Sequence, residues 1–110
     1  MTDPNPIRVQ LSRREGWRKP NNTLVVARPT VWGNPFPIGK LGREEAVRRF
    51  REMTQDPREM AAWLYPPISQ IKTKLHGKNL ACWCPLPEPG EPDLCHAAIL
   101  LEIANAPEPD

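Results

Sequence analysis

The segment NLACWC (residues 79–84) decides the fold of this chain, because it is a short, mostly apolar run that Pro85 stops. A run of this length and composition is typical of a β-strand. Side chains alternate across a strand, so Cys82 and Cys84 would point to the same face near its carboxyl end. We therefore expect two thiols side by side at one edge of a sheet.

A proline-rich loop follows this strand and continues to Pro92. Asp93 is suited to be the N-cap of a last helix over residues 94–104, which is apolar nearly all round and hence buried. Cys95 and His96 would then lie in the first turn of that helix. Ligands in α/β folds usually bind between the carboxyl end of a strand and the following helix N-terminus. We therefore expect three thiols and one imidazole to converge there.

Two further strands are predicted near the amino terminus. Residues 7–11 alternate apolar and polar side chains with period two, which indicates a half-buried strand. Residues 23–27 form a continuous apolar run rich in β-branched side chains, which predicts a fully buried strand. The polar, basic stretch 12–22 is expected to be a loop. Residues 29–42 contain three prolines and three glycines and are expected to form a longer loop without regular structure.

Three helices are expected between residues 43 and 77. The first follows Gly42, because four apolar side chains repeat at helical spacing on one face: Ala46, Val47, Phe50 and Met53. The second begins with Asp56 as N-cap and Pro57 at the first helical position, and runs through Leu64 until two prolines break it. The third ends at Gly77, which is placed to cap it.

The order of elements is strand, strand, helices, strand, helix, which predicts a small α/β domain. We expect two or three layers, with a short, partly parallel sheet of about three strands and helices packed on it. The 110 residues suit one domain, residues 1–110, with a core over about 7–105 and flexible, proline-rich ends. Three cysteines are an odd count, and no apolar run could span a bilayer or act as a signal peptide. We therefore expect a cytoplasmic protein without a membrane partner.

The cysteines allow three interpretations. In the first, the three thiols bind zinc and a histidine or a water is the fourth ligand: Cys82, Cys84 and Cys95 with His96 or His76. The C-x-C spacing differs from the usual C-x2-C, and the adjacent Cys95 and His96 cannot easily both reach one ion. In the second, Cys95 is a reactive thiol at a helix N-terminus with a histidine as its base. In the third, the cysteines are small core residues and His96 donates to a loop carbonyl.

A second candidate site consists of basic and aromatic side chains in the first third of the chain. Arginine forks suit phosphate and an indole can stack on a base, which favours a nucleotide-binding or phosphate-binding role for Arg13, Arg14, Trp17 and Arg18. A pocket that could hold a nucleotide is also predicted between the cysteine strand and the long loop, formed by Arg28, Trp32 and Asn34. The alternatives are solvated surface charge for the arginines and core or loop anchoring for the tryptophans.

Several blocks of the sequence resemble one known family. They are RVQLSRR (8–14), GWRKP (16–20), VVARP (25–29), WGNPF (32–36), GKNLACWC (77–84) and CHA (95–97). From about residue 7 to residue 105, the chain is similar to the domain of unknown function 4326 family of small bacterial and bacteriophage proteins. The resemblance implies no particular reaction. It does imply that the WGNPF block and the C-W-C and C-H blocks belong to one shared site.

The function expected from these observations is that of a small metal-binding α/β domain, with zinc as the metal, that recognises a nucleotide or nucleic acid and could modify it. Cys95 and His96 are then the candidate catalytic residues. The alternative is a zinc-stapled interaction or inhibitor protein without catalysis, because a chain this short gains much stability from a staple. The sequence decides neither the reaction nor the oligomeric state.

Overall fold

The cysteine-bearing strand lies at the centre of a three-stranded sheet in the computed structural model, which describes residues 6–106. Strands β1 (Arg8–Gln10) and β2 (Thr23–Val25) flank β3 (Asn79–Cys82), in the order β1-β3-β2. Both strand pairs are parallel, so the α/β class is confirmed and the sheet is more uniformly parallel than expected. All three strands therefore present their carboxyl ends at the same edge.

The second strand differs from the prediction of a fully buried strand over residues 23–27. It ends at Val25, and Leu24 in its middle is 36 % exposed. The reason is that β2 is an edge strand, which has a neighbour on one side only. Val26 is completely buried beyond the strand's end, where its N–H donates to the Ala81 carbonyl at 2.9 Å.

Five helices occur within residues 6–106, and the last of them joins the sheet to the others. They are α1 (Ile38–Leu41), α2 (Arg43–Thr54), α3 (Pro57–Ala62), α4 (Ile68–Leu75) and α5 (His96–Ala104). Helix α5 contacts β3 and β1, and both α2 and α4 pack against α5. The large, completely buried side chains of the core between them include Phe50, Ile71, Leu75, Leu80 and Leu100. No helix of the described part of the chain is long and apolar enough to cross a membrane.

Two helix boundaries depart from the sequence pattern. Residues 29–42 are not free of regular structure, because α1 forms one turn there before Gly42, whose φ of +83° ends it. Asp56 caps α3 as predicted, accepting from the Arg58 N–H at 3.0 Å. That helix stops at Ala62, short of the predicted Leu64, because Leu64 has left-handed backbone with a φ of +56°.

The start of α5 is also different from the prediction. Cys95 is the N-cap, and His96 is the first helical residue. Asp93 was expected to cap this helix, but its carboxylate instead receives the guanidinium of Arg8 from β1, a partner that is distant in sequence. The flexible, proline-rich ends expected from the sequence fall at residues 1–5 and 107–110, which lie outside the described residues.

Candidate metal centre

Three thiols meet where β3 ends and α5 begins. Cys82 is the last residue of β3, Cys84 lies two residues further, and Cys95 is the N-cap of α5. Their sulfur atoms all lie within 4.8 Å of one another, and the Sγ atoms of Cys82 and Cys84 are 3.9 Å apart. A tetrahedral zinc ion with Zn–S bonds of about 2.3 Å holds its sulfurs about 3.8 Å apart. The cluster is therefore spaced to hold a metal ion.

The three thiols are buried and reduced, and they lie close enough to alter one another's pKa. None of them forms a disulfide, and within residues 6–106 no other group of three His, Cys, Asp or Glu side chains is close enough to hold a metal ion. Hydrogen bonding with Cys84 and Cys95 lowers the pKa of Cys82. Hydrogen bonds with Cys82 and Cys84, together with burial, raise the pKa of Cys95. The neighbouring thiols therefore favour the thiolate form at Cys82 over that at Cys95.

The His96 ring sits beside this cluster with a fixed orientation. Its Nε2 lies 2.8 Å from the Val26 carbonyl oxygen, and an N–H on Nε2 donates to that oxygen. Its Nδ1 lies 4.0 Å from the Cys95 sulfur. In the neutral ring Nδ1 then carries a lone pair. A histidine that ligates a metal through one ring nitrogen usually donates the N–H of its other ring nitrogen to an acceptor such as a backbone carbonyl. The carbonyl contact was expected from the sequence for a core histidine, and the same contact suits a ligand.

The other histidine of the chain lies elsewhere. His76 follows α4 and precedes β3, and its Nδ1 is 2.9 Å from the Ala104 carbonyl at the end of α5. The cysteines are at the opposite end of β3, and a strand of four residues is about 13 Å long. Of the two histidines, His96 is thus the one that the fold brings to the thiols.

A buried arginine holds the two halves of the cluster together. Arg8 donates from Nη1 to the Cys84 carbonyl and from Nη2 to the Pro85 carbonyl, each at 2.6 Å. It also forms a two-pronged ion pair with Asp93, at 2.8 and 3.0 Å. Burial lowers the pKa of Arg8, but its bonds to Asp93 and the nearby thiols outweigh this and raise it. Arg8 therefore ties the chain after β3 to the chain before α5.

The sequence pattern does not predict that Arg8 is buried or that it binds the chain next to the cysteines. Arg8 has the same parity as the exposed Gln10 in the alternating first strand, so the pattern predicts a solvent-facing side chain. Arg43, the first residue of α2, adds a similar contact by donating from Nε to the Leu94 carbonyl at 3.0 Å. Both arginines act on the backbone next to the cysteines, which only the tertiary fold brings near them.

A cavity of about 350 Å³ opens beside the cysteines and is here called the Arg28 cavity. Its lining includes Arg28, Asn34, Phe36, Ile38, Trp83 and His96 together with Cys82 and Cys84. The loop that carries the WGNPF block and the C-W-C segment thus face one space, where the sequence had predicted a pocket. Trp32 does not line it, because it packs against the hydrophobic core and its carbonyl accepts from the Tyr65 hydroxyl at 2.7 Å.

The side chain of Asn34 holds the loop in place. Its Nδ2 donates to the Ala46 carbonyl of α2 at 3.1 Å, and its Oδ1 accepts from the Phe36 N–H at 2.9 Å. Asn34 is buried, and these contacts occupy both ends of its amide. A direct contact from Asn34 to a nucleotide remains a prediction.

One residue of the basic stretch 12–22 contacts the segment that carries Cys82 and Cys84. The Arg13 guanidinium lies over the Trp83 ring, 4.5 Å from its centroid, in a cation–π contact. Arg14, Trp17 and Arg18 do not line the Arg28 cavity, and Arg14 and Trp17 are joined by a turn in which the Trp17 N–H donates to the Arg14 carbonyl. Their roles in phosphate binding and stacking remain predictions.

The catalytic roles expected for Cys95 and His96 also remain predictions. Cys95 is completely buried and His96 is 5 % exposed. Reactive cysteines are usually partly exposed and have a lowered pKa, whereas the pKa of Cys95 is raised by the neighbouring thiols and by burial. The geometry around these two residues is thus better suited to ligation than to attack on a substrate.

Comparison with known proteins gives the chain a family. No curated protein and no solved structure matches it. The model of one family, described as a domain of unknown function (DUF4326), matches residues 9–106. This span contains all three cysteines and the whole wall of the Arg28 cavity. The chain therefore belongs to the DUF4326 family.

Proposed function

We propose that this protein is a zinc-binding domain in which the metal has a structural role. One observation carries the proposal: three buried sulfurs lie within 4.8 Å of one another, beside an imidazole nitrogen 4.0 Å from the Cys95 sulfur. Three thiolates with one imidazole are a common tetrahedral zinc set, and soft sulfur ligands disfavour magnesium and calcium. The proposed ligands are Cys82, Cys84, Cys95 and Nδ1 of His96.

Four protein ligands would close the coordination sphere, whereas catalytic zinc keeps one position open for water or substrate. The hydrogen bond from His96 to Val26 supports the closed arrangement, because it engages Nε2 and leaves Nδ1, 4.0 Å from the Cys95 sulfur, as the ring nitrogen available to a metal. The ion would connect the end of β3 to the start of α5 across residues 85–94, which include four prolines. We also propose the cytoplasm as the compartment, since thiols stay reduced there.

The wider function that we propose is recognition of a nucleotide or nucleic acid without its modification. The Arg28 cavity next to the metal centre supports this role, because it combines a cationic side chain with aromatic walls. Phosphate contacts are strongest at low salt. Filter binding at low salt with labelled nucleotides, single strands and duplexes therefore tests it, and absence of any retention would refute this part of the proposal.

Metal content tests the zinc site itself. Protein purified without added metal should contain one zinc per chain by mass spectrometry of metals, and Cys84→Ser should lose it. The two histidines provide a matched pair: His96→Ala should weaken zinc retention against a competing chelator, while His76→Ala should keep the wild-type value. Absence of zinc from the wild type, or an equal effect of the two histidine variants, would refute the proposed ligand set.

A further inference from the structure

The wall of the Arg28 cavity carries a single permanent charge among the described residues, the guanidinium of Arg28. Apolar and aromatic side chains, including Phe36, Ile38 and Trp83, form most of the remainder. Small-molecule sites typically have volumes of about 300–1,000 Å³ and apolar walls with a few placed polar groups. At about 350 Å³, the cavity suits a ligand the size of one nucleotide.

The surrounding loop holds the Arg28 guanidinium in one orientation. Its Nε donates to the Asn34 carbonyl at 2.8 Å, and within residues 6–106 its two Nη groups have no partner. Gly33 makes this arrangement possible, since a Cβ there would lie 2.8 Å from Arg28 Cγ and 3.2 Å from its Cα. The loop thus presents the free edge of an arginine fork, which is the donor geometry that binds phosphate with two hydrogen bonds.

Trp83 supplies a surface for a planar ring. Although it lies between two buried cysteines, its side chain is 44 % exposed and lines the cavity. Arg13 stands over one face of the indole and does not itself line the cavity. Aromatic side chains stack on nucleic-acid bases with little dependence on sequence.

We infer that the Arg28 cavity binds a nucleoside phosphate, with the phosphate on the free edge of Arg28 and the base against Trp83. This inference rests on the proposed function, because the zinc would fix the wall that contains Cys82, Trp83 and Cys84. The nucleoside phosphate is either a free mononucleotide or the 5′-terminal nucleotide of a strand, since both present the same phosphate and base. The volume of about 350 Å³ fits one nucleotide.

Calorimetric titration with each of the four ribonucleoside 5′-monophosphates tests the inference on the full chain at low salt. The wild type should bind at least one of them. Arg28→Ala should raise Kd about tenfold or more through loss of a charge-assisted, two-pronged contact. Gly33→Ala should raise it as well, because the new methyl group displaces Arg28. Arg58→Ala, which removes an exposed arginine outside the cavity, is the matched control and should leave Kd unchanged.

The same titrations identify the source of the ligand. Inorganic phosphate or an unphosphorylated nucleoside should bind more weakly than the monophosphate. Tighter binding of a 5′-phosphorylated oligonucleotide than of an unphosphorylated one, with the same dependence on Arg28, would support a strand end as the ligand. An unchanged Kd in Arg28→Ala would overturn the inference, and so would a loss in Arg18→Ala alone, which would move the contact to the basic loop.

Zinc content measured on the same samples separates this inference from the proposed metal site. Arg28→Ala should retain one zinc per chain, so its loss of binding could not be assigned to loss of the metal. A wild type that contains zinc but binds none of the monophosphates at millimolar concentration would refute the inference alone. A wild type without zinc that binds a nucleotide through Arg28 would refute the metal site and leave the cavity assignment standing.

Discussion

Replacing Arg8 by methionine tests how much the buried contacts of Arg8 contribute to the stability of the domain. Arg8 makes four hydrogen bonds, two to main-chain carbonyls and two to the Asp93 carboxylate. Removing one partner of a buried ion pair costs about 3–5 kcal/mol, because the other charge stays buried without compensation. The Asp93 side chain keeps 18 % exposure, so water relieves part of this cost. We expect the free energy of unfolding to fall by about 3 kcal/mol, the low end of that range.

Urea denaturation followed by circular dichroism measures this loss, provided that the m-value is unchanged. Arg48→Met is the matched control, because Arg48 pairs with Glu45 and Glu52 on the exposed side of α2. Exposed pairs of this kind contribute little to stability, because water screens the charges and both long side chains lose conformational freedom. The Arg8 variant should therefore lose several times as much stability as the Arg48 variant.

A second substitution distinguishes the ion pair from simple loss of packing. If the cost in Arg8→Met comes from the uncompensated Asp93 carboxylate, then adding Asp93→Leu should restore part of the stability, because two apolar residues often replace a buried pair well. An Arg8→Met loss no larger than that of the Arg48 control would refute the reasoning. The reasoning would also be refuted if the double variant Arg8→Met/Asp93→Leu were less stable than Arg8→Met by about 3 kcal/mol or more.

Three other changes probe the metal and the core. Removal of metal with EDTA should lower the melting temperature, since zinc binding contributes folding free energy; an unchanged melting temperature in protein shown to have lost its zinc contradicts a structural role. Phe50→Ala should cost about 3–5 kcal/mol in urea, because the ring is completely buried between Tyr65 and His96; a loss near 1 kcal/mol would contradict this packing. Leu64→Gly should stabilise by about 1 kcal/mol, because Leu64 is 91 % exposed with a φ of +56°; a lower urea midpoint is the opposite result.

The parts of the fold that follow from local pattern were predictable. The helical repeat of α2 and the Asp56–Pro57 start of α3 depend on neighbouring residues, and both occur as expected. A partly parallel sheet followed from the order of strands and helices, because helices lie between β2 and β3 and can form a crossover. The parallel direction of β1 did not follow from this order, since only a loop joins β1 to β2. The convergence of the thiols followed from placing Cys82 and Cys95 at a strand end and a helix start.

What the pattern could not predict depends on contacts between distant residues. Aspartate is a favoured N-cap residue, but the Asp93 carboxylate pairs with Arg8, which is 85 residues away in sequence. The helix therefore begins three residues after Asp93, at His96. A charge-assisted pair with two hydrogen bonds exceeds a single capping bond of about 1 kcal/mol, which explains why the local preference loses. The exposure of Leu24 has a similar origin, because only the sheet order makes β2 an edge.

The early end of β3 is what brings the two sulfurs of the C-x-C pair close together. The Cα atoms of residues i and i+2 in a regular strand lie about 6.6 Å apart, so the two side chains must converge before their sulfurs reach the spacing of about 3.8 Å around one zinc ion. Here the strand ends at Cys82, the chain bends at Trp83, and the two sulfurs approach to 3.9 Å. The bend takes the Cys84 carbonyl out of the sheet, and Arg8 satisfies it with a hydrogen bond. Loss of Arg8 should therefore weaken the proposed zinc binding as well as folding, although Arg8 is not one of the proposed ligands.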